Sequence, residues 1–179
     1  MSFLPNPLHP ALVHLPIAMA VLVPLSILVA LWAIRRGATS RAVWSVPVAM
    51  LGLLLLSGWG ALQTGEGDED RVEQVVGDAA IHTHEESAER FLVATGFVLV
   101  LATAGFVRGR TGSLARSTTA AASFLILVAG YQVGHTGGAL VYRDGAPIAF
   151  ATPDGAAGGS TIVRRDGITR QDVDDDRAR

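Results

Sequence analysis

The chain has 179 residues, half of them hydrophobic, and a formal net charge of −2. It contains no cysteine, which excludes disulfides, thiolate metal sites and cysteine nucleophiles. Every fixed positive side chain is an arginine, and the apolar residues gather in four long runs bounded by charges, the signature of membrane spans rather than of a soluble core.

The opening residues lack the positive region of a secretory leader, so no cleavable signal is expected. The spans are predicted at about 11–34, 43–62, 88–107 and 117–134. None carries an acidic or basic residue except near an end, and in hydrocarbon such segments must be helical to pair their own backbone groups. The predicted fold is therefore an all-α integral membrane protein, a four-helix transmembrane bundle. The first turn between spans holds Arg35, Arg36 and Arg41, the second Arg108, Arg110 and Arg116, and neither has an acidic neighbour. Short arginine-rich loops stay in the cytoplasm. The N-terminus, the segment 63–87 and the tail from His135 are then expected outside, so that both termini are extracytoplasmic. The two hairpins share a theme, and aligning Arg35 with Arg108 places His9 opposite His82.

Between spans two and three, Glu66 to Asp70 reads as a solvated acidic loop. Thr83, followed by Glu86, fits a capping box and predicts that span three starts near His84. Span four is expected to stop at Gly137-Gly138. Beyond it, residues 140–142 read as a short strand entering the Asp144-Gly145 turn, in a hairpin with 148–150. The chain thus divides into a membrane domain, 1–145, and a polar, partly disordered tail, 146–179, with one further short strand at 161–163. Trp44 and Trp59 read as interface anchors, and the row Gly130, Gly134, Gly138 as a close-packing face or as room for a cofactor.

The five histidines, His9, His14, His82, His84 and His135, all fall on the side away from the arginines. At 1.5 Å per residue, His14 lies roughly 30 Å from Arg35 and His135 roughly 30 Å from Arg116, with His84 about one turn higher. Three of them, His14, His84 and His135, could face one another in one layer of the bundle, where cofactor sites are built. Imidazole is a common transition-metal ligand and an axial ligand of haem. A b-type haem held by two of His14, His84 and His135, serving electron transfer, is the expected cofactor. Arg90 or Arg143 would meet its propionates. Copper or zinc on three or more of the five histidines, with Glu85 or Glu86, is the alternative, and a non-catalytic membrane subunit that docks a partner on its outer face is a third. No nucleophile elbow, phosphate-binding glycine loop, zinc-protease signature or nucleic-acid patch occurs, so no catalytic residue is assigned.

The opening His9-Pro10, Val13-His14-Leu15-Pro16-Ile17-Ala18 and the closing Gly134-His135-Thr136-Gly137-Gly138-Ala139-Leu140-Val141-Tyr142 resemble the two ends of an uncharacterised bacterial membrane family, domain-of-unknown-function family 2231. His84 fits that family's histidine before span three. The resemblance covers roughly residues 8–145. It implies four spans in a bacterial cytoplasmic membrane and no established activity. Some members of the family are joined to Rieske or cytochrome-like domains, which would favour electron transfer, with a redox partner protein expected on the outer face. His82 and the long acidic loop depart from its pattern.

Overall fold

The computed structural model describes residues 8–151. A short helix α1 (His9–Leu12) runs straight into α2 (His14–Arg35). Then follow α3 (Ser40–Glu66), α4 (Glu69–Val76), α5 (Asp78–Ala104), α6 (Gly109–Tyr142) and α7 (Ile148–Ala151). Among the described residues there is no strand. Four helices are long and apolar enough to cross a membrane: His9–Arg35, Ser40–Glu66, Asp78–Ala104 and Gly109–Tyr142. At 1.5 Å per residue each exceeds the roughly 30 Å of a hydrocarbon core, so their ends stand clear of it.

The four long helices form an up-down bundle in which α2 packs on α3, α3 on α5, α5 on α6 and α6 back on α2. The centre is filled by Val23, Ile27, Leu51, Leu54, Val98 and Ile126, all fully buried. The outer faces are as apolar as the core. Leu25, Val29, Leu56, Val93, Phe97, Val100, Leu125 and Val128 are all exposed. A helix that is hydrophobic on every side belongs in lipid, so the bundle sits in a bilayer.

Polar side chains inside the bundle are satisfied locally. Thr95 donates to the carbonyl of Phe91, Thr119 to Ala115, Ser123 to Ala120 and Ser87 to Thr83, each within its own helix. At the arginine end, Trp44 differs from the interface anchor that its sequence position suggests. It is fully buried, and its indole N–H donates to the Ala102 carbonyl at 2.9 Å. That carbonyl lies in the last turn of α5, where it also accepts the backbone N–H of Gly105 at 2.9 Å, so the indole adds a second bond across to α5. Gly105 lets the indole approach, because a Cβ there would collide with Nε1 and would come within 2.8 Å of Cε2. Trp59 is exposed, as an anchor would be.

Several expected boundaries shift. Helix α5 starts at Asp78, one turn and more before the capping box. Gly77 precedes it with φ of +85°, a backbone state that glycine supplies without strain. Thr83 lies inside the helix and donates to the Ala79 carbonyl rather than capping anything. The acidic loop is partly helical, because Glu69 and Asp70 occupy the first turn of α4, where the helix dipole favours negative charge. Gly137 and Gly138 do not stop α6. Neither takes the positive φ of a helix-ending glycine, and the chain stays helical through 140–142 in place of the expected strand. The Asp144-Gly145 turn exists, with Gly145 at φ of +79°, but it joins helix to helix. Residues 148–150 are helical, so there is no hairpin. The expected strand at 161–163 and the tail from 152 lie outside the described residues.

The Trp44–Gly105 contact supplies a direct test. Gly105→Ala should destabilise the bundle by about 1–3 kcal/mol through overpacking, and Trp44→Ala by about 3–5 kcal/mol through the cavity it leaves. Denaturant titration in detergent, followed by helical circular dichroism, reads both. Losses for Gly105→Ala below about 0.5 kcal/mol, the scatter of ordinary surface changes, would show that the close approach is not needed.

Candidate functional site

The end of the bundle opposite the arginines carries all five histidines, but the fold sorts them. His9, in the first turn of α1, and His84, on the second turn of α5, face each other with ring centroids 6.3 Å apart and planes at 89°. Both are half-buried. This is the one histidine–histidine ring contact among the described residues. His14, His82 and His135 are exposed. His135 leans on Tyr131 of its own helix, with centroids 6.1 Å apart. No group of three or more His, Asp and Glu side chains converges among the described residues in a way that could hold a metal ion. Of the expected layer of His14, His84 and His135, only His84 meets another histidine ring among the described residues, and that ring is His9.

Each ring of the pair is fixed by a bond from Nδ1. His9 Nδ1 lies 2.7 Å from the Ala61 carbonyl of α3. A carbonyl only accepts, so Nδ1 carries the proton. His84 Nδ1 lies 3.0 Å from Thr136 Oγ1 of α6. The Thr136 hydroxyl spends its single proton on the carbonyls of Gln132 and Val133, so it accepts from His84. In the neutral form both imidazoles are then Nδ1–H tautomers whose Nε2 lone pairs have no hydrogen-bond partner among the described residues. Such outer bonds are how proteins orient an imidazole and raise its basicity as a ligand.

Glycines make the seats. The His9 ring lies against Gly65, where a Cβ would meet Nδ1 at 3.2 Å and Cε1 at 3.3 Å. The His84 ring lies against Gly137, where a Cβ would meet Cε1 at 3.0 Å. Gly65 went unnoticed in the sequence because its role depends on a helix more than fifty residues away. Gly137 read as a helix stop. Of the row Gly130, Gly134 and Gly138, only Gly130 packs, against Phe91 and Ala20; the other two face open space. Gly58 packs on Leu92 and Phe91 of α5.

Beside the pair, α5 and α6 bound a groove of about 280 Å³ lined by Ser87, Arg90, Tyr131, Gln132, His135 and Thr136. It brings His135 and Arg90 together. Arg90 also pairs with Glu86, one turn before it. Arg143 is engaged by its neighbour Asp144, both of whose carboxylate oxygens accept from the guanidinium. That hydrogen bonding holds the Asp144 carboxyl below the usual carboxylate range. Glu85 is half-buried and Glu86 exposed.

A family model described as a predicted membrane protein, DUF2231, matches residues 5–149, and the chain belongs to that family. No curated protein and no solved structure matches.

The seats distinguish one glycine from another. Gly134→Ala should stabilise the protein by up to about 1 kcal/mol, the ordinary helical preference for alanine over glycine, because its methyl meets nothing. Gly137→Ala should forfeit that gain and displace the His84 ring. Thermal unfolding compares the stabilities, and the imidazole resonances of His84 in detergent report the displacement. Identical imidazole spectra for the two variants would remove Gly137 from the site.

Proposed function

We propose that this member of the family binds a single late first-row transition-metal ion, copper before zinc, between His9 and His84 at the histidine end of the membrane bundle. One observation carries the reading: two imidazoles from different helices, 6.3 Å apart, are each tethered through Nδ1, with no partner for either Nε2 among the described residues. Metal–nitrogen bonds of about 2 Å from two opposed imidazoles would put the ring centroids roughly 6 Å apart, close to the separation of this pair. Imidazole suits copper and zinc, and copper heads the affinity order of divalent ions. With two protein ligands the remaining positions are left to water, a substrate or a partner's side chain, as in sites that exchange or react rather than purely structural ones. The arginine turns, by the positive-inside preference, would put this site on the outer face of a cytoplasmic membrane.

A second reading is b-type haem for electron transfer, and the α5–α6 groove favours it. His135 would supply an axial nitrogen there, Arg90 would meet a propionate, and His84 stands one hydrogen bond away through Thr136. Packing of both rings of the pair against glycine backbones leaves little space for a macrocycle between His9 and His84, which weighs toward the ion.

The two readings divide the histidines. Purified protein dialysed against copper should retain about one equivalent. His9→Ala and His84→Ala should each lose it, whereas His14→Ala, His82→Ala and His135→Ala should keep it. Protein expressed with added haem and showing six-coordinate b-type bands that His135→Ala abolishes and His9→Ala leaves would establish the second reading instead. Protein with neither metal nor haem would overturn both. A cytoplasmic signal from a reporter fused after residue 159 would reverse the orientation without touching either site.

A further inference from the structure

The opposite end of the bundle holds a cavity of about 270 Å³ lined by Arg41 near the start of α3, Arg108 just before α6 and Arg116 in its second turn, with Thr39, Ser40 and Gly109 between them. No carboxylate lines the cavity among the described residues. The chain has no Asp or Glu from residue 1 to 65 or from 90 to 143. Arg41 and Arg108 are exposed, and neither makes a hydrogen bond or ion pair with another described residue. Arg116 is half-buried and donates through Nη1 to the Gly105 carbonyl, which holds it at the cavity wall while its remaining N–H groups find no partner among the described residues.

The backbone adds to this field. Helices α3 and α6 both start at the cavity, and the residues before them, Thr39 and Arg108, make no side-chain cap. First-turn N–H groups of two long helices therefore lie beside the three guanidinium groups. Planar guanidinium groups recognise phosphate through paired hydrogen bonds. The cavity opens at the ends of apolar spans, the level of lipid headgroups, and the adjoining Val107 and Leu114 are large, apolar and exposed. Basic pockets between spanning helices at this level take anionic lipid headgroups.

We propose that this cavity binds a phosphate group, supplied by the headgroup of an anionic phospholipid. The site is independent of the histidine pair, and its test uses different residues and a different ligand.

The test is native mass spectrometry of the full chain in detergent, titrated with phosphatidylglycerol, with phosphatidylcholine, and with inorganic phosphate. Wild-type protein should retain one phosphatidylglycerol in preference to phosphatidylcholine. Arg41→Gln and Arg108→Gln should each weaken retention about tenfold, as the loss of a charge-assisted hydrogen bond would. The single variant Arg35→Gln removes the same charge from the same end without touching the cavity, and should weaken it less than about threefold, the small effect of an exposed charge. Inorganic phosphate that binds in place of the lipid, and fails to bind Arg41→Gln, would keep the phosphate site and change its source. Equal retention of the two lipids with no phosphate binding, or equal losses in the cavity variants and the control, would overturn the proposal. Unchanged helical circular dichroism in each variant separates loss of binding from loss of fold.

Discussion

Hydrocarbon offers a peptide group no hydrogen-bond partner, and nearly everything in this protein follows from that restriction. Each apolar run has to close its own backbone bonds, which makes it a helix. The few polar side chains between the helices obey the same rule, with Thr95, Thr119 and Ser123 returning their protons to carbonyls one turn back. What cannot be satisfied locally gathers at the two ends. At the end of α5, Trp44 and Arg116 donate from neighbouring helices to the carbonyls of Ala102 and Gly105. At the other end, His9 reaches the Ala61 carbonyl of α3. The ends of the bundle are where its chemistry can lie, because only there do polar groups outnumber the local bonds available to them.

The number and order of spans were legible in the sequence because length and hydropathy decide them, and neither depends on what packs where. Boundaries were less legible, for a physical reason that differs by position. The Thr83-to-Glu86 pattern has the composition of a helix start, yet composition cannot say whether a helix already runs through it; Gly77, with its positive φ, had settled the start earlier in the chain. Gly137 and Gly138 have the composition of a stop, but Gly137 is occupied by the ring of His84 and the helix continues. Trp44 has the position of an interface residue, and only the absence of a Cβ at Gly105 shows that it points inward.

For the candidate site, the sequence indicated which end and which residue type, but not which partners. Depth measured along each helix put His14, His84 and His135 in one layer. Rotation about the helix axis, which depth does not contain, turned His14 and His135 outward and left His84 to meet His9. Depth is a property of one helix, whereas rotation is set by the packing of all four. The histidine pair and the arginine cavity lie at opposite ends of the bundle.

Side-chain hydrogen bonds between the long helices, among the described residues, lie at the two ends and none at the middle. The middle is held by dispersion contacts of aliphatic side chains, which resist separation of the helices far more than small sliding along them. Bilayers differ in thickness by a few ångström, and spanning helices respond by tilting. A bundle clasped at its rims and smooth between them can tilt as a unit while its waist yields, with the imidazole pair and the arginine cavity each kept intact by its own clasp. Bilayer thickness would then change the distance between the two ends measured along the membrane normal, without rearranging either.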